Sequence, residues 1–146
     1  MIATFDHFGL RFQYPENWSI TDESVSDWPR GVSVQSPGSG FWSVMQYELG
    51  TDPVALLEET LQEMRTQYED LESSVISELF DDQDVLGYEM FFYCLDFLVC
   101  ARVFTVRAED GKVYLILWQA EDREYSQVEA VFRAITTSLL RAVRDE

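Results

Sequence analysis

The sequence predicts an α+β domain, a mainly antiparallel sheet of about six to eight strands packed with two amphipathic helices. Three observations lead there. Apolar and polar residues alternate along several short stretches, the mark of half-buried strands. Those stretches are separated by compact turn-forming sequences, which favour antiparallel neighbours. Two longer segments instead repeat apolar residues every three or four positions, as an amphipathic helix does.

Taken in order, Leu10, Phe12 and Tyr14 alternate with Arg11 and Gln13, a strand stopped by Pro15-Glu16-Asn17. Strand character resumes over residues 18–21, before a polar stretch at 22–30 that holds Trp28-Pro29. Gly31 to Gln35 and Phe41 to Tyr47 form a predicted hairpin around Ser36-Pro37-Gly38-Ser39-Gly40. Asp52 can cap the first helix and Pro53 fits its first turn, with Glu58 and Glu59 early enough to suit the helix dipole. Its apolar stripe is Leu57, Leu61, Met64, Tyr68 and Leu71. Three or four further strands are expected, within residues 74–80, 87–95, 100–108 and 112–119, with Glu109-Asp110-Gly111 turning between the last two. The second helix carries Val128, Phe132, Ile135 and Leu139. It can start at Asp122, or at Ser126, where Ser126-Gln127-Val128-Glu129 reads as a capping box.

Composition narrows the function classes. The 146 residues show no repeats and no linker, so residues 1–146 read as a single domain. A 47% hydrophobic and 14% aromatic content argues against a disordered chain. The apolar run from Met90 to Val106 is interrupted by Asp96 and Arg102. It also falls short of the roughly 20 residues a spanning helix needs, so no membrane span is expected. The N-terminus lacks the pattern of a secretory leader, and two cysteines are too few for a secreted disulfide framework. A cytoplasmic location is therefore expected.

Charge is the most unusual bulk property. Twenty-seven acidic residues against ten basic ones, nine of them arginine, give a net charge of −17. Such a field repels phosphate backbones, so nucleic-acid binding is not expected. It would attract a basic partner. Solubility, or an acidic bias of the source proteome, is the simpler explanation, since charge speaks to solubility and association rather than to a site.

Short motifs add a resemblance. Tyr14-Pro15-Glu16-Asn17-Trp18 ends the first strand, Gln35-Ser36-Pro37 lies in the hairpin, and Asp52-Pro53 opens the first helix. In that order, and over nearly its whole length, the chain resembles the PsbP-like α/β/α sandwich superfamily. The resemblance implies the sandwich architecture. It also implies binding to other proteins rather than catalysis. The superfamily includes photosystem II extrinsic subunits, a Ran-GTPase-binding import factor, DcrB-type lipoproteins and Eag-type chaperones for secretion effectors. The sequence departs from these in showing no transit peptide, no lipobox and no Asp-Gln-Ser-Ile-Asn run after the early tryptophan.

Residues able to carry chemistry are few. His7 is the single histidine, and no Gly-x-Ser-x-Gly elbow accompanies it, so no catalytic constellation is expected. Zinc needs about four ligands, which Cys94 and Cys100 do not supply, and no metal or cofactor is expected. With a turn near residues 96–98, Cys94 and Cys100 would face each other across paired strands. They read either as two small buried side chains or as a redox-sensitive thiol pair. Asp81-Asp82-Gln83-Asp84 lacks the calcium-loop pattern and reads as a solvated turn.

Leu95-Asp96-Phe97-Leu98-Val99 admits two readings. It is either a hairpin tip exposing Phe97 and Leu98 or one strand running through the core, where Asp96 would need a partner. Trp28, in its polar loop, is a second candidate contact; Trp18, Trp42 and Trp118 read as packing residues. The expected function is a non-enzymatic cytosolic protein-binding module, an adaptor or chaperone. Its partner would be another protein, basic or with an apolar segment, and homodimerisation is open. The alternative is a small-ligand or lipid-binding domain with a pocket between sheet and helices.

Overall fold

The computed structural model describes residues 1–24 and 28–144. It shows the α+β architecture the sequence predicts. Among the described residues nine strands and two helices follow the order β1 (Ile2–His7), β2 (Leu10–Pro15), β3 (Ser19–Ser24), β4 (Arg30–Gln35), β5 (Phe41–Tyr47), α1 (Pro53–Gln67), β6 (Glu72–Phe80), β7 (Gln83–Cys94), β8 (Phe97–Arg107), β9 (Val113–Glu121) and α2 (Asp122–Arg144). Seven strands form one antiparallel sheet in the order β3-β4-β5-β9-β8-β7-β6, while β1 and β2 pair separately as a hairpin.

Side chains alternate between the faces of this sheet and build two cores. Phe92, Val99, Ala101, Val103 and Leu115 meet Leu57 and Leu61 of α1 on one face. On the other face Trp42, Phe104, Ile116 and Trp118 meet Phe132, Ile135 and Leu139 of α2, together with Phe5, Leu10 and Phe12 of the β1–β2 hairpin. Aromatic rings join the layers there: Trp118 stacks on Phe132 with centroids 5.7 Å apart, and Phe12 lies 4.8 Å from Trp42. Each sheet face thus has its own cover, which makes an α/β/α sandwich.

Local chemistry explains the element ends. Asp52 Oδ1 accepts from the amides of Val54 and Ala55, capping α1 as expected, and Tyr68 closes that helix. Leu71 lies past the helix and packs against its core from the following turn. The second helix begins at Asp122, so the capping box at Ser126 is not used. Tertiary anchoring decides this. The amide and hydroxyl of Ser39 donate to Glu124, and Trp118 Nε1 donates to the buried Tyr125 hydroxyl at 2.9 Å, which fixes the turn ahead of Ser126.

Two strands differ from expectation. The sequence reading missed β1, whose one buried residue is Phe5; the strand exists because Phe5 stacks on Phe12 across the hairpin. Similarly, β3 runs on to Ser24 through residues read as a polar loop, held by pairing with β4 across a bulge between Ile20 and Asp22. No helix among the described residues is long and apolar enough to cross a membrane; Met90 to Val106 instead forms the end of β7, the turn and most of β8.

Candidate functional site

The site is built from strand length. Pairing between β6 and β7 starts at Glu72 opposite Phe91, and pairing between β8 and β9 ends at Val99 opposite Glu121. The last residues of β7 and the first of β8 therefore project beyond both neighbouring strands. They form a protruding hairpin closed by Leu95-Asp96, with Cys94 opposite Phe97 and Tyr93 opposite Leu98.

This tip presents apolar groups to solvent. Leu95 is 90% exposed, Tyr93 59% and Phe97 49%, while Leu98 is half-buried. A two-residue hairpin turn takes Asn-Gly or Asp-Gly where both central residues need positive φ, and glycine first where only the first does. Here Leu95 occupies the first position at φ 57°, which is strained for a residue of its shape. The fold gains nothing from a leucine there.

Beside the tip lies an open groove of about 370 Å³, lined by Tyr93, Phe97 and Leu98 together with Asp96, Glu121, Asp122 and Arg123. Arg123 Nε donates to Glu121 at 2.6 Å. Asp122 sits in the first turn of α2, where the helix terminus favours negative charge. Apolar floor and carboxylate rim can hold an apolar side chain with a cation beside it.

Of the other sequence-predicted residues, Cys94 shares the tip and the rest lie elsewhere. Trp28 is half-buried at the opposite end of the strands, with the Arg30 guanidinium 4.4 Å from its ring centroid, so it does not join Phe97 and Leu98. Cys94 and Cys100 do not face each other. The turn falls at Leu95-Asp96, not at 96–98, and Cys100 therefore pairs with Phe91 while Cys94 pairs with Phe97. Both are free; Cys94 is exposed and Cys100 buried. Burial, and then the Glu89 carboxylate, push the Cys100 thiol up to about 12. Cys94 lies against Tyr68, whose hydroxyl is pushed up by burial first and by that thiol second.

His7 is exposed on β1 and stacks on Phe5 with centroids 5.1 Å apart. Asp81 is more than a solvated turn residue. Its carboxylate binds Arg141 and Arg144 of α2, with the Arg144 contact at 2.7 Å. A second ion network links Glu78 of β6 to Arg102 of β8 and Arg133 of α2. Among the described residues no three His, Cys, Asp or Glu side chains gather so as to hold a metal ion. An apolar groove of about 280 Å³ also runs between the β1–β2 hairpin and α2, past Ile2, Tyr14, Pro15, Ala130, Val131 and Ala134.

Sequence reasoning placed Leu95 in the tip segment without naming it as a contact, and missed Tyr93. The dipeptide Leu-Asp is poor turn chemistry, so nothing local placed the turn there.

Solved structures share this architecture. The solution structure of cyanobacterial PsbP (CyanoP) from Synechocystis sp. PCC 6803 superposes with a TM-score of 0.61 at 16% identity, over 94% of this chain and 90% of that one. The chain has the PsbP-like fold. A second neighbour is the crystal structure of PA94 from Pseudomonas aeruginosa, described as a protein of unknown function and putative regulator. It matches with a TM-score of 0.59 at 10% identity, over 94% of this chain and 95% of that one. No protein-family model matches the chain. No curated protein matches its sequence. The PsbP-like fold accounts for the sandwich and its covers; it does not by itself assign a role to the tip.

Proposed function

We propose that this PsbP-like domain is a non-enzymatic protein-binding module, an adaptor or chaperone, which uses the β7–β8 tip to hold an apolar segment flanked by basic residues. One observation carries the reading: Leu95 is almost fully exposed and conformationally strained where a turn residue would cost nothing. A strained, exposed leucine beside Tyr93 and Phe97 is worth keeping only if something covers it. The carboxylates of Asp96 and Asp122 at the groove, Glu121 being paired with Arg123, and the −17 charge of the whole chain favour a basic partner. The free, exposed thiol of Cys94 suits a reducing compartment, and we assign the module to the cytosol.

The test is affinity capture with the wild-type chain and with Phe97→Asp. A partner enriched by the wild type, lost with the variant and released by salt supports the module. Equal recovery by both chains would rule out the tip as its contact.

A second reading, binding of a small apolar ligand, draws on the groove between the β1–β2 hairpin and α2. Its volume lies just below the usual range of about 300–1,000 Å³ for ligand pockets, so the reading fits a short acyl chain better than a bulky ligand. A thermal shift with such chains, lost in Ala134→Trp, is the expected signature.

A further inference from the structure

The two edges of the central sheet are built differently. At one end β3 is a six-residue strand broken by a bulge, and its sequence carries Asp22 and Glu23. Bulges and charges of that kind keep other strands away. At the other end β6 runs nine residues in unbroken register with β7, without proline, glycine or lysine. Among the described residues no strand lies beyond it. Val75 and Leu79 of β6 are 66% and 62% exposed on the sheet face that carries α1, and Leu86 of β7 beside them is 48% exposed. Such an edge is a template for another strand.

We infer that β6 pairs with β6 of a second copy of this chain, antiparallel and about a two-fold axis at Ser77, so that one sheet runs through both copies. The sequence of the strand complements itself in this register. Val75 falls opposite Leu79 of the second copy, twice by symmetry, which joins the exposed apolar groups into one cluster. Shifting the axis to Ile76 would instead set Val75 against Ser77. Glu78 is the single charged residue in the paired segment 74–80, and it falls opposite Ile76 rather than another carboxylate. It is already neutralised by Arg102 and Arg133 of its own chain. At the ends Glu72 falls opposite Asp82 of the second copy, a like-charge pair that the Arg65 cation bound to the neighbouring Ser73 offsets. Arg65 donates to Ser73 Oγ at 2.8 Å on β6, and Ser73 faces the turn of Asp81 and the exposed Asp82 of the second copy. The net charge of −17 on each chain opposes association over longer range, so salt tightens this dimer by screening, whereas it loosens a basic partner at the β7–β8 tip.

Sedimentation velocity of the full chain tests the pairing, at roughly 100 µM and roughly 0.5 M salt, where screening is strong. A dimer is expected for the wild type and a monomer for Val75→Lys, with circular dichroism showing both folded; Leu79→Lys serves if Val75→Lys does not fold. Register is read separately. In a Cys94→Ser background, mild oxidation of Ser77→Cys should give a covalent dimer, because the two residues 77 meet on the axis. Ser74→Cys, which faces Phe80 of the second copy, should not. A monomeric wild type, a dimer indifferent to lysine on β6, or equal cross-linking at positions 74 and 77 would each overturn the inference.

Discussion

Cys94 and Cys100 point to opposite faces of the central sheet. Cys94 stands opposite Phe97 and beside Tyr68 on the α1 side, whereas Cys100 stands opposite Phe91 on the α2 side. No intramolecular disulfide can form without unpairing the strands. Purified without reductant, the chain should retain two free thiols. One should react with an alkylating reagent in the native state and the second only in denaturant, since Cys100 is buried and its thiolate is disfavoured. A mass two hydrogens lower within one chain would contradict this.

Replacing Leu95 by Gly should separate stability from binding. Glycine adopts the φ of 57° at position 95 without the strain a leucine carries, so denaturant unfolding should show a gain of about 0.5–1 kcal/mol. The same change removes the exposed leucine, and partner capture should fall. Gained stability with undiminished capture would leave Leu95 without a role in contact.

Acid should weaken the junction between the Asp81 turn and α2. Hydrogen bonds from Arg141 and then Arg144 hold the Asp81 carboxyl at about 2. An unfolded aspartate titrates near 3.9, so the folded value is depressed and the contact stabilises the fold above about pH 4. That contribution fades as pH falls through about 2. Asp81→Asn keeps a residue that tolerates φ 49° but removes the charge, and melting curves between about pH 4 and 2 should be flatter than wild type.

Gly87→Ala should be among the costlier small substitutions in the sheet. A Cβ at Gly87 would lie 2.2 Å from the Val103 carbonyl oxygen and 2.5 Å from the Phe104 ring. Backbone cannot step aside as a flexible side chain can, so β7 and β8 must shift. A loss of about 1–3 kcal/mol in chemical denaturation is expected. An unchanged midpoint would show that the strands yield at no cost.

Much of the fold was legible because its signals are local. Apolar spacing in Leu57, Leu61 and Met64 marked α1, Asp52-Pro53 marked its start, and Glu109-Asp110-Gly111 marked the last hairpin. The tip was legible only in outline. Phe97 and Leu98 stood out as apolar residues near a carboxylate, but Leu-Asp carries no turn signal, so the turn position and the partners of both cysteines were misread by the same slip.

By itself the sequence determined the fold class, the two helices, most strands and the acidic surface, since propensity, periodicity and charge are properties of the chain in one dimension. Only the tertiary structure decided that β1 is a strand, that α2 begins at Asp122 and that the β7–β8 hairpin overhangs its neighbours. Each of these depends on contacts between residues far apart in sequence: Phe5 on Phe12, Ser39 on Glu124, and the register of β7 and β8 against the shorter pairings beside them. Long-range packing overrides weak local preference, and it did so at the ends of elements, where local preference is weakest.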